Sequence, residues 1–217
     1  ETAFININES PIPIRWFTPT LEVNLCGHAT MASAKILFEH FPSIAGTEIS
    51  FNSKSGILNV TKNAEDICLN FPADDPERQE MDALFAEALG KSPIEILRGT
   101  DDFLAVFETE QQIQTMNPDF TKLAKINSRG VVISAPGNDV DFVSRCFFPQ
   151  TGVDEDPVTG SAHTMLIPYW AKQLDKIEFK AHQLSARGGA LDCKLINNRV
   201  LISGKSVIYF EGMISII

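Results

Sequence analysis

The spacing of hydrophobic residues along the chain predicts two similar series of helices and strands. In the first series, apolar residues recur at helical spacing from Ala29 to Phe41, and two apolar segments, Leu58–Thr61 and Ile67–Phe71, follow. The short polar connector between these two segments predicts a β-hairpin. The second series repeats the helix and the two strands at Ala162–Lys172, Leu191–Leu195 and Val200–Ser203. The pattern therefore predicts one helix-and-hairpin unit that occurs twice.

The segments ahead of the two predicted helices match as well. RWFTP begins at Arg15 and RCFFP at Arg145, and each is followed by an acidic stretch and then by a glycine, Gly27 or Gly160. The two arginines lie 130 positions apart and the two glycines 133, so the second copy carries three additional residues. We interpret the chain as two copies of one fold, with chance similarity of two αβ units as the alternative.

The second copy is preceded by an additional segment that the first copy lacks. It consists of a strand at Phe103–Glu108, a polar loop, a helix at Phe120–Ile126 and a strand at Gly130–Ser134. If the copies are equivalent, about 40 residues of strand and helix are expected ahead of Glu1.

We predict that the chain divides into a first repeat at residues 1–93 and a second repeat at residues 94–206. The segment Asp75–Pro93, helical over Met81–Leu89, would bridge the two repeats. Residues 207–217 could complete the first repeat.

Charge and composition exclude several classes of function. The net charge of −10 argues against nucleic-acid binding, because phosphate contacts need clustered lysine and arginine and the chain has no basic run. No apolar stretch approaches the ~20 residues that span a bilayer, and no secretory signal pattern is present. The four cysteines are far apart and form no CxxC pair, which favours reduced thiols. We therefore expect a cytoplasmic protein without nucleic-acid or membrane partners.

The two glycine turns are the first candidates for chemistry. A glycine ahead of a helix lets the backbone approach a ligand, and the N–H groups of the first turn then form an anion site. His28 follows the first glycine, an acidic triplet at Asp154–Asp156 precedes the second, and Ser161 follows it. Two such turns that face one cleft could hold a carboxylate or stabilise an enolate-like charge.

Each of these residues also has a purely structural interpretation. An acidic triplet in a loop is typical of a solvated surface, and Asp156 could cap a helix that has Pro157 at its first position. A histidine near the start of a helix, such as His28, is often a cap or a packed residue. The shared location in paired turns is what favours the functional interpretation.

Longer segments around these turns resemble the signatures of a known family. LCGHAT begins at Leu25 and DEDPVTGSA at Asp154, and both look like signature segments of the PhzF-like isomerase family of phenazine biosynthesis. ETAF at Glu1 resembles the end of that family's Ser-Glu-Thr motif, and RGG at Arg187 matches a further family segment. The resemblance spans essentially the whole chain. It implies an α+β fold of the diaminopimelate-epimerase type, with two pseudo-symmetric halves, each a barrel-like, mostly antiparallel sheet around a central helix.

The resemblance also implies an activity and assigns residues to it. The implied catalytic residues are Glu1, His28, Asp156 and Ser161, and the implied substrate-binding residues are Gly27, Gly160 and Ser161. Glu1 would be the general acid/base, and a semi-apolar cleft is expected to raise its pKa. The reaction would be a 1,3-proton shift or an epimerisation of a small carboxylated metabolite. Neither a cofactor nor a metal is expected, and a homodimer is what the resemblance implies.

Three other functions are less well supported. Epimerases of this fold use one cysteine from each glycine turn, but here Cys26 is matched by Thr159, whose hydroxyl is far too weak an acid to replace a thiol. A catalytically silent small-molecule-binding protein of the same fold is a second alternative. A metal hydrolase that uses His28, His163 and the acidic triplet lacks the HxxxH or HExxH spacing. The remaining histidines, His40 and His182, have nothing near them in the sequence that suggests chemistry, and we expect them to be at the surface or to have their hydrogen bonds satisfied.

Overall fold

In the part of the chain that the structure describes, fifteen strands are linked into one sheet, and the helices pack against it. The computed structural model describes residues 1–64 and 66–213. Its first elements are β1 (Thr2–Ile5), β2 (Ile12–Phe17), β3 (Glu22–Val23), α1 (Gly27–His40), α2 (Pro42–Ala45), β4 (Glu48–Ser53), β5 (Gly56–Asn63) and β6 (Asp66–Pro72). They are followed by β7 (Glu77–Arg78), α3 (Ala83–Leu89), β8 (Glu95–Arg98), β9 (Asp102–Val106), α4 (Glu110–Gln114), α5 (Phe120–Leu123), β10 (Gly130–Pro136), β11 (Phe142–Phe148), β12 (Val153–Asp156), α6 (Gly160–Leu174), β13 (Glu178–Gln183), β14 (Gly189–Ile196) and β15 (Arg199–Gly204). Within the described residues, no helix has the length and apolar character needed to cross a membrane.

The strand pairing repeats itself along the chain. Strand β2 pairs antiparallel with β1 and β3 and parallel with β4, and β11 pairs in the same way with β10, β12 and β13. The meander β4–β5–β6 has its counterpart in β13–β14–β15, and the two copies join where β6 pairs with β15. The predicted internal duplication is therefore confirmed, with α1 and α6 as the equivalent central helices.

Two apolar layers lie on opposite faces of the sheet. The larger packs against α1 and α6 and includes Phe51 and Phe71, each fully buried, while the smaller lies under α3, α4 and α5 and includes Phe107 and Phe147. Both faces of β10 and β11 are covered, so nearly all of their residues are buried, whereas β2 alternates between buried positions and partly or fully exposed ones. Full burial of a side chain such as Phe51 contributes about 1.5–3 kcal/mol.

Helix α6 contains a proline and still continues to Leu174. Pro168 has no N–H group, so the carbonyl of Thr164, four residues earlier, has no partner within the helix. The backbone N–H of Asp74 donates to that carbonyl at 2.9 Å. The segment after β6 therefore satisfies the group that the proline leaves free.

One helix was not predicted. The sequence analysis assigned a polar loop between the strand ending at Glu108 and the helix beginning at Phe120, but α4 lies in this interval. A capping box starts it, because the Thr109 hydroxyl accepts from the N–H of Gln112 while the Gln112 side chain accepts from the N–H of Thr109. The helix then buries Ile113 in the smaller apolar layer.

The segment that links the halves makes its contacts with the second one. Strand β7 pairs with β8, and α3 packs against α5, so residues 77–89 extend the sheet and the smaller apolar layer of the second half. We propose that the halves divide near residue 73 rather than at residue 93. Residues 205–213 form no helix or strand, and residues 214–217 lie outside the described part, so the role suggested for residues 207–217 stays a prediction.

Candidate active site

The first turns of the two central helices meet at the centre of the molecule. Helix α1 begins at Gly27 and α6 at Gly160, and a Cβ atom on Gly27 would lie only 2.8 Å from the Cα of Gly160. A Cβ atom on Gly160 would lie 3.0 Å from the Cα of Gly27. These backbones can approach so closely only because neither residue has a side chain.

Both helix starts lack a capping side chain. The N-cap residues, Cys26 and Thr159, are extended, and neither side chain accepts from the first turn of its helix. No acidic residue lies in either first turn. The N–H groups of both turns are therefore available to an anion, and the two helix dipoles favour negative charge at the same place.

A cavity of about 40 Å³ lies at this junction. It is lined by all six residues that the sequence analysis assigned to the site, Glu1, Gly27, His28, Asp156, Gly160 and Ser161. It is also lined by Arg129 and Phe148, to which the sequence analysis gave no role. The site is therefore built from both halves of the duplicated fold.

Glu1 and His28 form an ion pair across the cavity. The Oε2 atom of Glu1 lies 3.1 Å from Nε2 of His28. Burial lowers the pKa of His28, but the hydrogen bonds with Cys26 and Glu1 and the charge of Asp156 outweigh it and raise this pKa to about 10. The hydrogen bond from His28 in turn lowers the pKa of Glu1, against the opposing effect of burial. The expectation that the cleft raises the pKa of Glu1 was therefore wrong, because the histidine partner outweighs desolvation.

Asp156 has the opposite environment. Its side chain is buried, and burial raises its pKa, although the hydroxyl of Thr159 donates to Oδ2 at 2.5 Å and the charge of His28 acts in the other direction. The two carboxyl groups in this cavity are therefore shifted in opposite directions: the pKa of Glu1 is lowered and the pKa of Asp156 is raised.

Gln183 fixes the second glycine turn from behind. Its Oε1 accepts from the N–H of Thr159 at 2.7 Å, and its Nε2 donates to the carbonyl of Asp156 at 2.7 Å. Gln183 is fully buried at the end of β13. The signal that could have found it is the alternation of β13, in which a glutamine occupies a buried position in phase with Phe179 and Ala181.

The acidic triplet divides into three different environments. Asp154 is exposed, and Glu155 forms a two-pronged ion pair with Arg145 at 2.7 and 3.0 Å. Only Asp156 lines the cavity. Asp156 does not cap α6, whose N-cap residue is Thr159, so the capping interpretation of Asp156 was wrong.

Cys26 and Thr159 occupy equivalent positions with different contacts. The buried thiol of Cys26 lies 3.7 and 3.8 Å from the ring nitrogens of His28. Thr159 donates to Asp156 instead, so its hydroxyl orients a carboxyl group and does not replace a second thiol. This arrangement does not support a racemase with one thiol in each turn.

The described residues contain one group with metal-ligand side chains close together. The ligand atoms of Glu1, Cys26 and His28 lie within 4.8 Å of one another. A metal would require the neutral form of His28, whereas the raised pKa keeps this ring protonated near neutral pH. Its ion pair with Glu1 therefore competes with a metal for both side chains.

The other histidines lie away from the cavity. His163 is fully buried, its Nδ1 is 2.9 Å from the carbonyl of Thr159, and burial lowers its pKa to about 4. His40 and His182 are exposed, as predicted. His163 therefore packs inside the protein, which does not support a metal hydrolase that pairs it with His28.

The ion pair between His28 and Glu1 predicts how stability depends on pH. The raised pKa of His28 contributes stability that is complete below pH 6.5 and is lost as the pH rises to about 10. Solvent screens the pair, whose side chains are 39% and 21% exposed, so we expect a loss of about 1 kcal/mol. His28→Gln should remove this dependence, and urea unfolding at a series of pH values measures it. If the free energy of unfolding of the unmodified protein and of His28→Gln changed with pH in parallel, the assignment of this pH dependence to His28 would be contradicted.

Glu1 makes stability depend on pH in the opposite sense. Its lowered pKa gives stability that is present above the ordinary value of 4.5 and is lost as the pH falls through the folded value. In the same urea experiment, the acid side of the curve should therefore also flatten in His28→Gln, because the group that lowers the pKa of Glu1 is gone.

Comparison with known proteins gives a consistent result. The family model described as phenazine biosynthesis-like protein matches residues 1–212. An uncharacterized isomerase of Pseudomonas aeruginosa is 47% identical over 214 residues, which cover 99% of this chain and 82% of that protein. A crystal structure of a PhzF-family phenazine biosynthesis protein from Enterococcus faecalis has a TM-score of 0.87 at 44% identity, and the match covers 94% of this chain and 78% of that one. A probable proline racemase from Agrobacterium radiobacter shares the fold alone, with 12% identity and a TM-score of 0.61 over 93% of this chain and 72% of that one. These similarities confirm the predicted α+β fold with two pseudo-symmetric halves.

Proposed function

The chain belongs to the phenazine biosynthesis-like protein family, and on that premise we propose that it is a cofactor-independent isomerase that moves a proton within a small carboxylated metabolite. Relatives that are 47% and 44% identical to it over 214 and 210 aligned residues are named uncharacterized isomerases. The observation that carries the proposal is an ionised carboxylate, Glu1, at the point where two uncapped helix starts converge.

The first step uses Glu1 as a base. Its carboxylate takes a proton from a carbon atom that is conjugated with, or adjacent to, the carboxylate of the substrate. The electron pair of the broken C–H bond moves into the carboxylate group, which becomes enolate-like. The N–H groups at Gly27 and Gly160 face this developing charge and stabilise it, because charge at paired helix starts is stabilised without reorganisation.

The second step returns the proton. Protonated Glu1 donates it to a different carbon in a 1,3-shift, and the catalyst ends in its starting state with no change of oxidation level. In an epimerisation, a second acid would protonate the same carbon from the opposite face. Asp156, which lines the same cavity and whose pKa burial raises, is the candidate for that acid.

His28 and Ser161 have supporting roles in this proposal. His28 keeps Glu1 ionised before the reaction and, as a cation, stabilises negative charge in the cavity. Ser161 lines the cavity from the first turn of α6 and can orient a carboxylate there.

The test is exchange of hydrogen with solvent. The protein is incubated in D₂O with a panel of small cyclic and amino-acid-like carboxylic acids, and deuterium incorporation at carbon is followed by mass spectrometry and NMR. We expect at least one acid to gain deuterium in a protein-dependent manner. Binding of such acids without exchange of any of them would favour the catalytically silent binding protein instead.

A further inference from the structure

Arg129 enters the cavity from the half of the molecule opposite Glu1. In β1, Thr2 pairs with Phe17, and in β10, Val131 pairs with Phe147. Because Phe17 and Phe147 are equivalent in the repeat, the starts of β1 and β10 are equivalent too. Glu1 lies directly ahead of β1, and Arg129 lies directly ahead of β10, one residue earlier in terms of the repeat. The carboxylate of Glu1 and the guanidinium of Arg129 line the same cavity.

The guanidinium of Arg129 is held in a fixed orientation. Its Nε donates to Oδ1 of Asp102 at 2.9 Å and its Nη2 donates to Oδ2 of the same carboxylate. Its Cζ atom lies over the ring of Phe148, 5.4 Å from the ring centroid. The side chain of Asp102 is 5% exposed, and this residue pairs with Gly130 across β9 and β10. A two-pronged ion pair of this kind fixes both position and direction.

Part of the donor capacity of Arg129 is unused. Nη2 also lies 3.4 Å from the hydroxyl of Ser161 in the first turn of α6, whereas Nη1 makes no hydrogen bond to any residue that the structure describes. The side chain is 25% exposed, at the wall of the cavity. A planar cation with a free amino group beside an uncapped helix start matches the geometry of a carboxylate.

We propose that Arg129 is a substrate-binding residue that contacts the same carboxylate as the first turn of α6. This inference rests on the proposed function and deepens it, since it names the part of the substrate that is recognised. A helix start offers about half a positive charge, and Arg129 adds the N–H donors of a cation whose charge Asp102 offsets in part, so the site selects an ionised carboxylate over an amide of the same shape.

Asp102 is a positioning residue in this arrangement. By holding Nε and Nη2, it keeps the guanidinium beside α6 and prevents it from pairing with Glu1, whose pKa the charge of Arg129 already lowers. A purely structural ion pair is the competing explanation. Buried ion pairs contribute little to stability. Measuring both the free energy of unfolding and the ligand affinity of the variants therefore separates the two explanations.

The experiment measures binding without turnover. Acetate, and acetamide as its neutral counterpart, are titrated into the protein while NMR follows the backbone amides of Gly160 and Ser161 and the Nη1–H signal of Arg129. We expect acetate to shift all three signals and acetamide to shift none of them. In Arg129→Met the Kd for acetate should rise about tenfold to a hundredfold, and in Asp102→Asn by a smaller factor.

The matched control is Arg98→Met. Arg98 also lies over a phenylalanine ring, at 4.5 Å from the centroid of Phe103, but it does not line the cavity. Its replacement should leave acetate binding unchanged. If Arg129→Met does not fold, the response of the Nη1–H signal in the unmodified protein still gives the answer, and Arg129→Lys tests the charge with less disturbance.

Two outcomes would overturn the inference. One is an unchanged Kd for acetate in folded Arg129→Met, and the other is acetate that shifts none of the three signals. Neither outcome depends on catalysis. Acetate binding that needs Arg129, together with no deuterium exchange on any acid, would reject the isomerase and leave the binding role of Arg129 intact.

Discussion

Replacement of Glu1 by glutamine is expected to abolish deuterium incorporation, with a loss of roughly a thousandfold or more in the exchange rate. The amide has the shape of the carboxylate, and its carbonyl can still accept from Nε2 of His28, which is 3.1 Å away in the unmodified protein. It cannot accept a proton from carbon at any pH of interest. The change therefore removes the base while it leaves the packing of the cavity in place, and mass spectrometry of the acid in D₂O measures the effect.

The control for this variant is Glu9→Gln. Glu9 is exposed in the connection between β1 and β2, where its side chain accepts from Asn6 at 2.6 Å. The variant Glu9→Gln makes the same chemical change close to the same strand, and the rate of deuterium exchange should be unaffected. Glu1→Gln should also bind acetate with nearly the wild-type Kd. Exchange at the wild-type rate in folded Glu1→Gln would mean that another group takes the proton, and Asp156 would be the next candidate.

The repeat in the sequence was sufficient to predict the main features of the fold. The 130-residue offset between Arg15 and Arg145 is maintained in the structure, where they occupy equivalent positions of β2 and β11. Hydrophobic periodicity located both central helices and both hairpins, because their apolar pattern is local, although α6 is buried on all sides over residues 162–170. The two glycine turns were also readable from the sequence, since a glycine ahead of a helix is a local signal at each site.

Features that depend on contacts between distant segments could not be predicted. The pKa of Glu1 is lowered by His28, which is 27 residues away, and sequence gives no distance between them. Arg129 and Asp102 are likewise brought together only by the parallel pairing of β9 and β10. A single arginine ahead of a strand has no distinguishing pattern. Long-range pairing, rather than local propensity, sets the electrostatics of the cavity.

The missed helix has a different cause. Helix α4 is only five residues long and buries a single apolar residue, Ile113, so hydrophobic periodicity cannot detect it. Its capping box at Thr109 and Gln112 was present in the sequence and would have indicated the helix start. Short helices are better recognised from their caps than from their periodicity.

Replacement of Gly27 by alanine should damage both stability and exchange. The added Cβ would lie 2.8 Å from the Cα of Gly160, and backbone, unlike the end of a flexible side chain, cannot move aside locally. We expect the free energy of unfolding to fall by about 1–3 kcal/mol through overpacking. The two helix starts would separate, and displacement of this kind should lower the exchange rate by about a hundredfold. Urea unfolding and the D₂O assay measure the two effects.

The effect of Gly27→Ala can be traced to the contact between the two turns by comparison with other glycines. In Gly160→Ala the added Cβ would lie 3.0 Å from the Cα of Gly27, so the effect should be similar but milder. The double variant should lose less stability than the sum of the two single losses, because both changes act on one contact. Gly204→Ala is the control, since its Cβ would meet nothing closer than Met31 at 3.6 Å, which is ordinary van der Waals contact. Wild-type exchange in Gly27→Ala would show that close approach of the helix starts is not needed for the reaction. Strict additivity of the two alanines would show that the turns do not act on each other.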